Sequence, residues 1–261
     1  MGKQIFGYKN LDDLSEKMHS ISFRITEDEV LQLPEQVTQI LYCQPDSLTK
    51  RIYKEMDKEL GFTLNDLEVD VEQSVSRLIK LRQITSGAVK SSEDSEELIH
   101  ISDIKIKLLK QVLEDNPDGK KVIFTSFKHE IRAIDDLLQE LGINYLTLDG
   151  QTPSDERETL EKRFTEEKDL GILVIQITTG AEGQDFTVAN TSIFYSPAYS
   201  WIYTDQAKAR IYRLGQKQKV RHLFLVMEGT IESDIVNLLD TIGELSTDLL
   251  ETKRTYKLNR K

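Results

Sequence analysis

From residue 121 onward, short runs of apolar and β-branched residues alternate with amphipathic segments of helical length. This alternation is typical of a parallel sheet whose strands are joined by crossover helices. The predicted strands cover residues 122–125, 145–148, 172–175, 192–195 and 220–225. The predicted helices cover residues 128–141, 153–166, 203–213 and 230–250. The pattern therefore predicts a doubly wound α/β domain with a mainly parallel sheet flanked by helices.

Residues 1–100 follow a different pattern. A short strand-like stretch at residues 37–42 is followed by helical periodicity around residues 46–60 and 72–85. Residues 101–113 are then predicted to form a helix that leads into the sheet. The first part of the chain is therefore expected to be mainly helical.

The segment from Ser91 to Glu97 is polar and acidic and has few apolar residues. Such a composition is typical of a linker. We therefore expect a mainly helical region over residues 1–95 and an α/β domain over residues 96–261.

Composition narrows the class of protein. A chain of 261 residues with 38% hydrophobic positions can bury the core of one or two domains. The single cysteine, Cys43, excludes an intrachain disulfide and favours a reducing compartment, so a cytoplasmic, nucleoid-associated location is expected. No apolar run approaches the length of a membrane span, and we expect no membrane contact.

The net charge of −11 argues against nucleic acid when it is taken alone. The distribution of charge changes this picture, because one stretch carries six basic residues with no acidic residue between them. These are Lys208, Arg210, Arg213, Lys217, Lys219 and Arg221.

The strongest chemical signal lies within that basic stretch. If residues 203–213 continue as a helix to Gly215, then Gln206, Arg210 and Arg213 share one face at i, i+4 and i+7. Two planar, permanently charged guanidiniums on one face suit a phosphoryl group in transfer. The spacing alone also fits an exposed basic helix that makes surface ion pairs.

A second signal follows the predicted strand at residues 172–175. Gly180 and Gly183 would let the backbone approach a phosphate or a sugar, at the edge where open α/β sheets bind ligands. By themselves the glycines fit a tight turn better than a ligand site.

These segments carry a resemblance to a known family. The sequence Gln-Ala-x-x-Arg-x-x-Arg-x-Gly-Gln from Gln206 to Gln216 resembles motif VI of the Swi/Snf-type, superfamily-two ATPases. The resemblance implies a RecA-like second lobe. It also implies that Arg210 and Arg213 are arginine fingers that reach ATP across a cleft, with Gln206 beside them.

The segment from Ile177 to Asn190 resembles motif V of the same family. The resemblance implies that Thr178, with its neighbour Thr179, contacts a DNA phosphate. It places Gly183 and Asp185 near the nucleotide. Glu182 and Asp185 depart from the small and amide residues that are commoner there, which leaves the ribose contact open.

Two further blocks resemble family segments at strand ends. Residues 121–127 resemble motif IV, and Leu148-Asp149-Gly150 resembles the family's block after the next strand. Ser126 and Thr152 would then be neutral donors to DNA phosphates, although a turn or cap role fits each of them as well.

The resemblance covers nearly the whole chain. Residues 23–34 resemble the family's lobe junction, and residues 78–87 resemble its Leu-x-x-Leu-Arg-Gln-Ile helix. The sequence Tyr195-Ser196-Pro197 replaces the tryptophan-rich block of many eukaryotic members, which points to the bacterial or phage branch.

The phosphate-binding motifs of such enzymes are absent from the sequence. No Gly-x-x-x-x-Gly-Lys-Ser/Thr and no Asp-Glu-x-His occur. ATP and Mg²⁺ are therefore expected to be bound chiefly by an N-terminal RecA-like lobe of the same polypeptide, and this chain alone is expected to be inactive. The histidines and the cysteine show no metal-ligand spacing, so no metal site is expected.

The resulting hypothesis is the second motor lobe of an ATP-dependent translocase on double-stranded DNA. The first alternative is a non-catalytic nucleic-acid or protein docking module on the same fold. A dinucleotide enzyme fits poorly, because the glycines near residue 180 miss the Gly-x-Gly-x-x-Gly order.

Overall fold

A computed structural model describes residues 10–21, 33–59, 61–64, 67–70, 74–91, 97–179 and 184–243. The chain divides into two compact units. One consists of residues Leu33–Val236, and the other of Met1–Gln32 together with Asn237–Lys261. None of the helices in the described part is long and apolar enough to cross a membrane.

The elements are numbered in chain order within the described residues. The strands are β1 (Gln36–Cys43), β2 (Gly61–Leu64), β3 (Leu67–Asp70), β4 (Ala88–Lys90), β5 (Leu98–His100), β6 (Lys120–Thr125), β7 (Tyr145–Leu148), β8 (Ile172–Gln176), β9 (Ala189–Phe194) and β10 (Val220–Met227). The helices are α1 (Leu11–Ile21), α2 (Ser47–Glu59), α3 (Ser74–Ser86), α4 (Ile104–Asp115), α5 (Lys128–Glu140), α6 (Ser154–Glu166) and α7 (Trp201–Ala209). Residues 231–243 are also helical.

A six-stranded sheet in the order β1-β10-β9-β6-β8-β7 forms the centre of the larger unit. Every neighbouring pair is parallel. A parallel sheet covered on both faces needs strands that are apolar at consecutive positions. Strand β6 shows this, because Val122, Ile123 and Phe124 are all buried. The predicted α/β fold of RecA type is confirmed.

The sheet extends into the region that was predicted to be mainly helical. Strand β1 pairs with β10 over its whole length, from Gln36 opposite Val220 to Cys43 opposite Met227. Most of the β1 side chains are exposed, as expected for an edge strand. Its partner lies more than 180 residues further on, so local periodicity could not reveal the pairing. The domain division at residue 95 stays a prediction, but the sheet draws strands from both sides of it.

The segment predicted as a linker connects two strands of a hairpin. Strands β4 and β5 pair antiparallel, and the backbone N–H of Ser91 donates to the carbonyl oxygen of Glu97 at 3.2 Å. The linker prediction was wrong because a polar composition is common to hairpin connections and to linkers.

Buried apolar residues in the described part of the larger unit include two clusters. One lies between the sheet and its helices and includes Ile123, Leu138, Val174 and Ile193. The other lies among α2, α3 and the β4–β5 hairpin. Its buried members are Ile52, Met56, Leu81, Ile84, Val89, Ile99 and Ile101. The region before α4 therefore has a small core of its own.

A buried ion pair joins Lys105 of α4 to Glu232, and both side chains are almost fully buried. The second carboxylate oxygen of Glu232 accepts a hydrogen bond from the backbone N–H of Met227 at 2.9 Å. The hydroxyl of Thr85 donates to the first oxygen at 2.9 Å. Buried charges are tolerated when they are paired and hydrogen-bonded in this way.

Candidate functional site

The segment that resembles motif VI begins as a helix but does not remain one. Helix α7 begins at its cap Ser200 and ends at Ala209, and Arg210 is the C-cap. The predicted helix to Gly215 was therefore too long. The reason is that the carbonyl oxygen of Arg210, which would accept from residue 214 in a helix, instead accepts from the backbone N–H of Phe186 at 2.9 Å. Gln206 and Arg210 lie one helical turn apart, whereas Arg213 lies on the loop that follows.

We use the name arginine loop for residues 206–216, which comprise the last turn of α7 and the segment that follows it. The loop turns at Gly215, whose φ of 103° lies in the left-handed region that favours glycine. Gln206, Arg210 and Arg213 are all half-buried. The loop thus presents two guanidiniums from one short turn of backbone.

Gln216 fixes the arginine loop to the motif V segment. Its Nε2 lies 3.1 Å from the carbonyl oxygen of Thr187, 2.9 Å from that of Ala189 and 3.0 Å from that of Ile211. Its Oε1 accepts from two backbone N–H groups that follow it, each at 2.8 Å. The side chain is 6% exposed. No separate role of Gln216 was predicted from the sequence, although a buried amide is well suited to hold several main-chain groups at once.

The motif V segment is described at residues 177–179 and 184–188, and Gly183 lies outside the described residues. Asp185 is half-buried. Its Oδ1 accepts from the backbone N–H of Thr187 at 2.8 Å, and its own backbone N–H donates to Oε1 of Glu161 at 3.1 Å. Asp185 therefore stabilises its own turn.

A cavity of about 490 Å³ lies where these two segments meet. Its lining residues are Glu161, Thr165, Asp185, Thr187, Val188, Gly215, Gln216, Lys217 and Gln218. Val188 directly precedes β9 and Gln218 comes shortly before β10, so the cavity lies toward the amino ends of these strands. Of the predicted nucleotide-binding residues, Asp185 lines the cavity and Gln206 lies in α7. The predicted catalytic residues Arg210 and Arg213 lie at the end of α7 and on the loop that follows it. Charged side chains, among them Glu161, Asp185 and Lys217, form part of the lining, which suits a hydroxylated or charged ligand.

The predicted DNA contacts lie at the opposite edge of the sheet. Ser126 follows β6, Thr152 comes shortly after β7, and Thr178 and Thr179 follow β8. Because β6, β8 and β7 are neighbours and parallel, their carboxyl ends share one edge. A Cβ atom built on Gly150 would lie 3.7 Å from the Thr179 hydroxyl, so the loop after β7 is in contact with the loop after β8.

We call residues 126–127, 149–152 and 177–179 the strand-end loops. Among their hydroxyls only that of Thr178 belongs to an exposed residue, while Thr179 is buried. The Thr152 hydroxyl accepts from the backbone N–H of Asp149 at 3.0 Å. The Ser126 hydroxyl accepts from Nη2 of Arg82 at 2.8 Å. The turn role left open by the sequence is therefore present for Thr152, whereas the Ser126 hydroxyl bonds to Arg82 of α3. The DNA contacts of both residues stay predictions.

Metal-binding geometry is not found in the described part of the chain. No group of three or more His, Cys, Asp or Glu side chains there is placed to hold an ion. Buried His222 makes a 2.6 Å hydrogen bond to Ser192, and burial lowers the pKa of its imidazole to about 3.

The parallel sheet and its flanking helices form a RecA-like lobe. Residues 104–215 match the family model of the helicase conserved C-terminal domain. Over 242 residues the chain is 24% identical to an uncharacterized ATP-dependent helicase of Mycoplasma pneumoniae, which covers 91% of this chain and 23% of that protein. The chain thus spans about a quarter of the length of that relative.

Two solved structures share the fold. The C-terminal part of the Fun30 ATPase domain matches with a TM-score of 0.65 and 19% identity, over 86% of this chain and 99% of that one. The Sulfolobus solfataricus SWI2/SNF2 ATPase core in complex with double-stranded DNA matches with a TM-score of 0.56 and 22% identity, over 92% and 55%. The chain therefore shares the RecA-like fold of these ATPase lobes, as its motifs predicted.

Proposed function

We propose that the chain is the second motor lobe of an ATP-dependent DNA translocase. The proposal rests on the Arg210 carbonyl bond to Phe186, which fastens the arginine loop to the motif V segment beside a polar cavity. The similar Mycoplasma protein is named an ATP-dependent helicase, and the Sulfolobus core is in complex with duplex DNA. Double-stranded DNA and an N-terminal RecA-like lobe of the same polypeptide are the proposed partners.

Arg210 and Arg213 supply positive charge to the phosphates of ATP in this proposal. A guanidinium stays protonated at every physiological pH and offers several N–H donors in one plane. These donors stabilise the negative charge that develops on the equatorial oxygens of the transferring phosphoryl group. Gln206, one turn before Arg210, supplies a neutral amide beside them.

The residues around the cavity fit the sugar and the outer part of a nucleotide. Asp185 offers a carboxylate that accepts hydrogen bonds from ribose hydroxyls, and Lys217 offers a positive charge. ATP and Mg²⁺ would be held chiefly by the N-terminal lobe, since this sequence has neither a P-loop nor an Asp-Glu-x-His motif.

DNA binding is assigned to the strand-end loops. Thr178 is exposed and has its hydroxyl available to a phosphate, so it is the principal contact in this proposal. Ser126 and Thr152 would contribute less, because each would exchange an internal hydrogen bond for a phosphate contact. Thr179 would act through its backbone turn, in which its N–H donates to Gln176 at 2.8 Å. A cytoplasmic, nucleoid-associated location follows from this function.

The test is substitution of the arginines in a polypeptide that contains both lobes. Arg210→Ala and Arg213→Ala should each lower DNA-stimulated ATP turnover by about a thousandfold, the usual size of an arginine-finger effect. Lys219→Ala is the matched control, because it removes an exposed charge from the same stretch, where Lys219 pairs with Glu35. Unchanged turnover in both arginine variants would contradict the proposal.

The alternative is a docking module on the same fold. It is favoured by a set of exposed apolar side chains around α7 and the arginine loop. These are Tyr199, Ile202, Tyr203 and Leu214. Exposed apolar side chains in one region often mark a protein contact. Full ATP turnover in the arginine variants would favour this alternative over the motor.

A further inference from the structure

Arg82 of α3 contacts two different loops at the carboxyl edge of the sheet. Its Nη2 donates to the Ser126 hydroxyl after β6 and to the carbonyl oxygen of Pro197 after β9, each at 2.8 Å. The centre of its guanidinium lies 5.0 Å from the ring centroid of Phe127 and 5.5 Å from that of Tyr199. Each loop therefore supplies one oxygen and one aromatic ring to the same side chain.

Glu130 also joins the loop after β6 to the loop after β9. Its Oε2 accepts from the backbone N–H groups of Ser126 at 2.7 Å and Phe127 at 3.1 Å, and from the Ser196 hydroxyl at 3.0 Å. Glu130 is fully buried, and burial raises the pKa of its carboxyl. Half-buried Arg82 and fully buried Glu130 thus fix the loop after β6 to the loop after β9.

The two loops lead to different parts of the proposed motor. The loop after β6 contains Ser126, a candidate DNA contact. The loop after β9 leads through Ser200, the N-cap of α7, into the helix whose C-cap is Arg210. A rigid helix carries a displacement at one end to the other end, so movement of Tyr199 or Pro197 would move the arginine loop.

We propose that Arg82 is a positioning residue that couples the DNA-binding edge to the arginine loop. This inference rests on the proposed function, and it adds the physical link between the two sites. Displacement of Ser126 by a DNA phosphate changes the hydrogen bond to Arg82, and Arg82 passes the change to Pro197 and Tyr199. The arginines are then placed for ATP only when DNA is bound.

The chemistry of this contact requires arginine. One guanidinium nitrogen donates to two acceptors while the planar group stacks against two rings. A lysine ammonium keeps the charge but is compact and offers no planar surface for stacking. Arg82→Lys therefore removes the coupling geometry without removing the charge.

The experiment measures ATP turnover against duplex DNA concentration in the two-lobed polypeptide. In Arg82→Lys, the ratio of DNA-stimulated to unstimulated turnover should fall about tenfold, within the usual range of coupling between sites. The DNA concentration that gives half-maximal stimulation should change less, by about threefold at most. Arg77→Lys is the control, because Arg77 lies on the same helix and binds the carbonyl oxygen of Asp57 instead.

A purely structural role for Arg82 predicts a different result. Loss of folded protein lowers both rates in the same proportion, so their ratio would stay constant and the inference would be overturned. A second variant covers the case in which Arg82→Lys does not fold. Tyr199 is 39% exposed, so Tyr199→Leu should fold, and it should also lower the ratio, while Tyr199→Phe keeps the ring and should not. An unchanged ratio in Tyr199→Leu would equally overturn the inference.

The arginine variants separate this inference from the proposed function. If Arg210→Ala and Arg213→Ala abolish turnover while Arg82→Lys keeps the full ratio, only the coupling is wrong. If the arginine variants retain full turnover, the motor assignment itself is wrong.

Discussion

The arginine loop and the strand-end loops hold their candidate residues in opposite ways. In the arginine loop, buried Gln216 and the backbone of Phe186 fix the main chain, and the arginine side chains contribute to neither of these contacts. In the strand-end loops, the candidate hydroxyls are themselves part of structural hydrogen bonds. The Ser126 hydroxyl accepts from Arg82 of α3, and the Thr152 hydroxyl accepts within its own turn. In the arginine loop, the residues that hold the backbone differ from the residues proposed to act on ATP. In the strand-end loops, Ser126 and Thr152 combine a structural hydrogen bond with a proposed DNA contact.

This difference determines whether a substitution should change activity, stability or both. A change in the arginine loop should affect either activity or stability, depending on the residue chosen. A change in Ser126 or Thr152 should affect both together.

Arg213→Ala should remove activity and leave stability intact. The guanidinium lies on a loop that Gln216 and Gly215 shape, so its loss should change the free energy of unfolding by no more than about 0.5 kcal/mol. Turnover of the two-lobed polypeptide should fall about a thousandfold. Thermal unfolding and steady-state turnover, measured on one preparation, check the stability and the activity. A large drop in melting temperature would show that Arg213 also has a structural role.

Gln216→Ala should show the reverse order of effects. It leaves the carbonyl oxygens of Thr187, Ala189 and Ile211 without their side-chain donor in a buried setting, at a cost of about 3 kcal/mol. Denaturant unfolding of this chain measures the loss. Gln218→Ala is the control, since Gln218 is exposed and its removal should cost little. Equal stability of the two variants would show that Gln216 does not fix the loop.

At acid pH, the preference of the unfolded chain for protonated His222 should destabilise the sheet that supports both regions. The folded pKa of about 3 lies below the ordinary value of 6.5, so the unfolded chain binds the proton more readily. Stability is therefore lost as pH falls from about 6.5 toward 3, by about 2 kcal/mol at pH 5 from this residue. Unfolding of the parent chain and of His222→Gln at about pH 7.5 and pH 5 should give a smaller pH dependence in the variant. An equal dependence in both would exclude His222 as the cause.

Thr178→Ala should have the smallest effect. Loss of one neutral hydroxyl contact should weaken duplex DNA binding about threefold, because such a hydrogen bond contributes about 0.5–1 kcal/mol. The dependence of affinity on salt should not change, since a neutral donor releases no counterion. Thr152→Val, by contrast, should lower the melting temperature as well. A changed salt slope in Thr178→Ala would show that the variant disturbs charged contacts.

The local pattern of the sequence was sufficient for most of the parallel sheet. Runs such as Val122-Ile123-Phe124 are apolar at every position, which marks a buried strand without knowledge of its partners. Strand β9 begins earlier than predicted, at Ala189, because the polar residues Asn190 and Thr191 interrupt the apolar pattern. The RecA-like class and the helicase resemblance followed from these strands together with the motifs.

The contacts that organise the site could not be read from local patterns. The end of α7 at Ala209 depends on Phe186, which lies in a different motif. Arg82 was seen as part of a family helix, but its partners at Ser126 and Pro197 are 44 and 115 residues away. Such long-range hydrogen bonds depend on the packed fold, and the periodicity of a single segment does not contain them.

The most direct test of the account is ATP hydrolysis by this chain alone and after mixing with its N-terminal lobe, each with and without duplex DNA. The account predicts hydrolysis only in the mixture, stimulated by DNA and abolished by Arg210→Ala, because the two lobes supply different parts of one site. Hydrolysis by this chain alone would contradict it, since the phosphates of ATP would then be bound entirely by residues of this lobe.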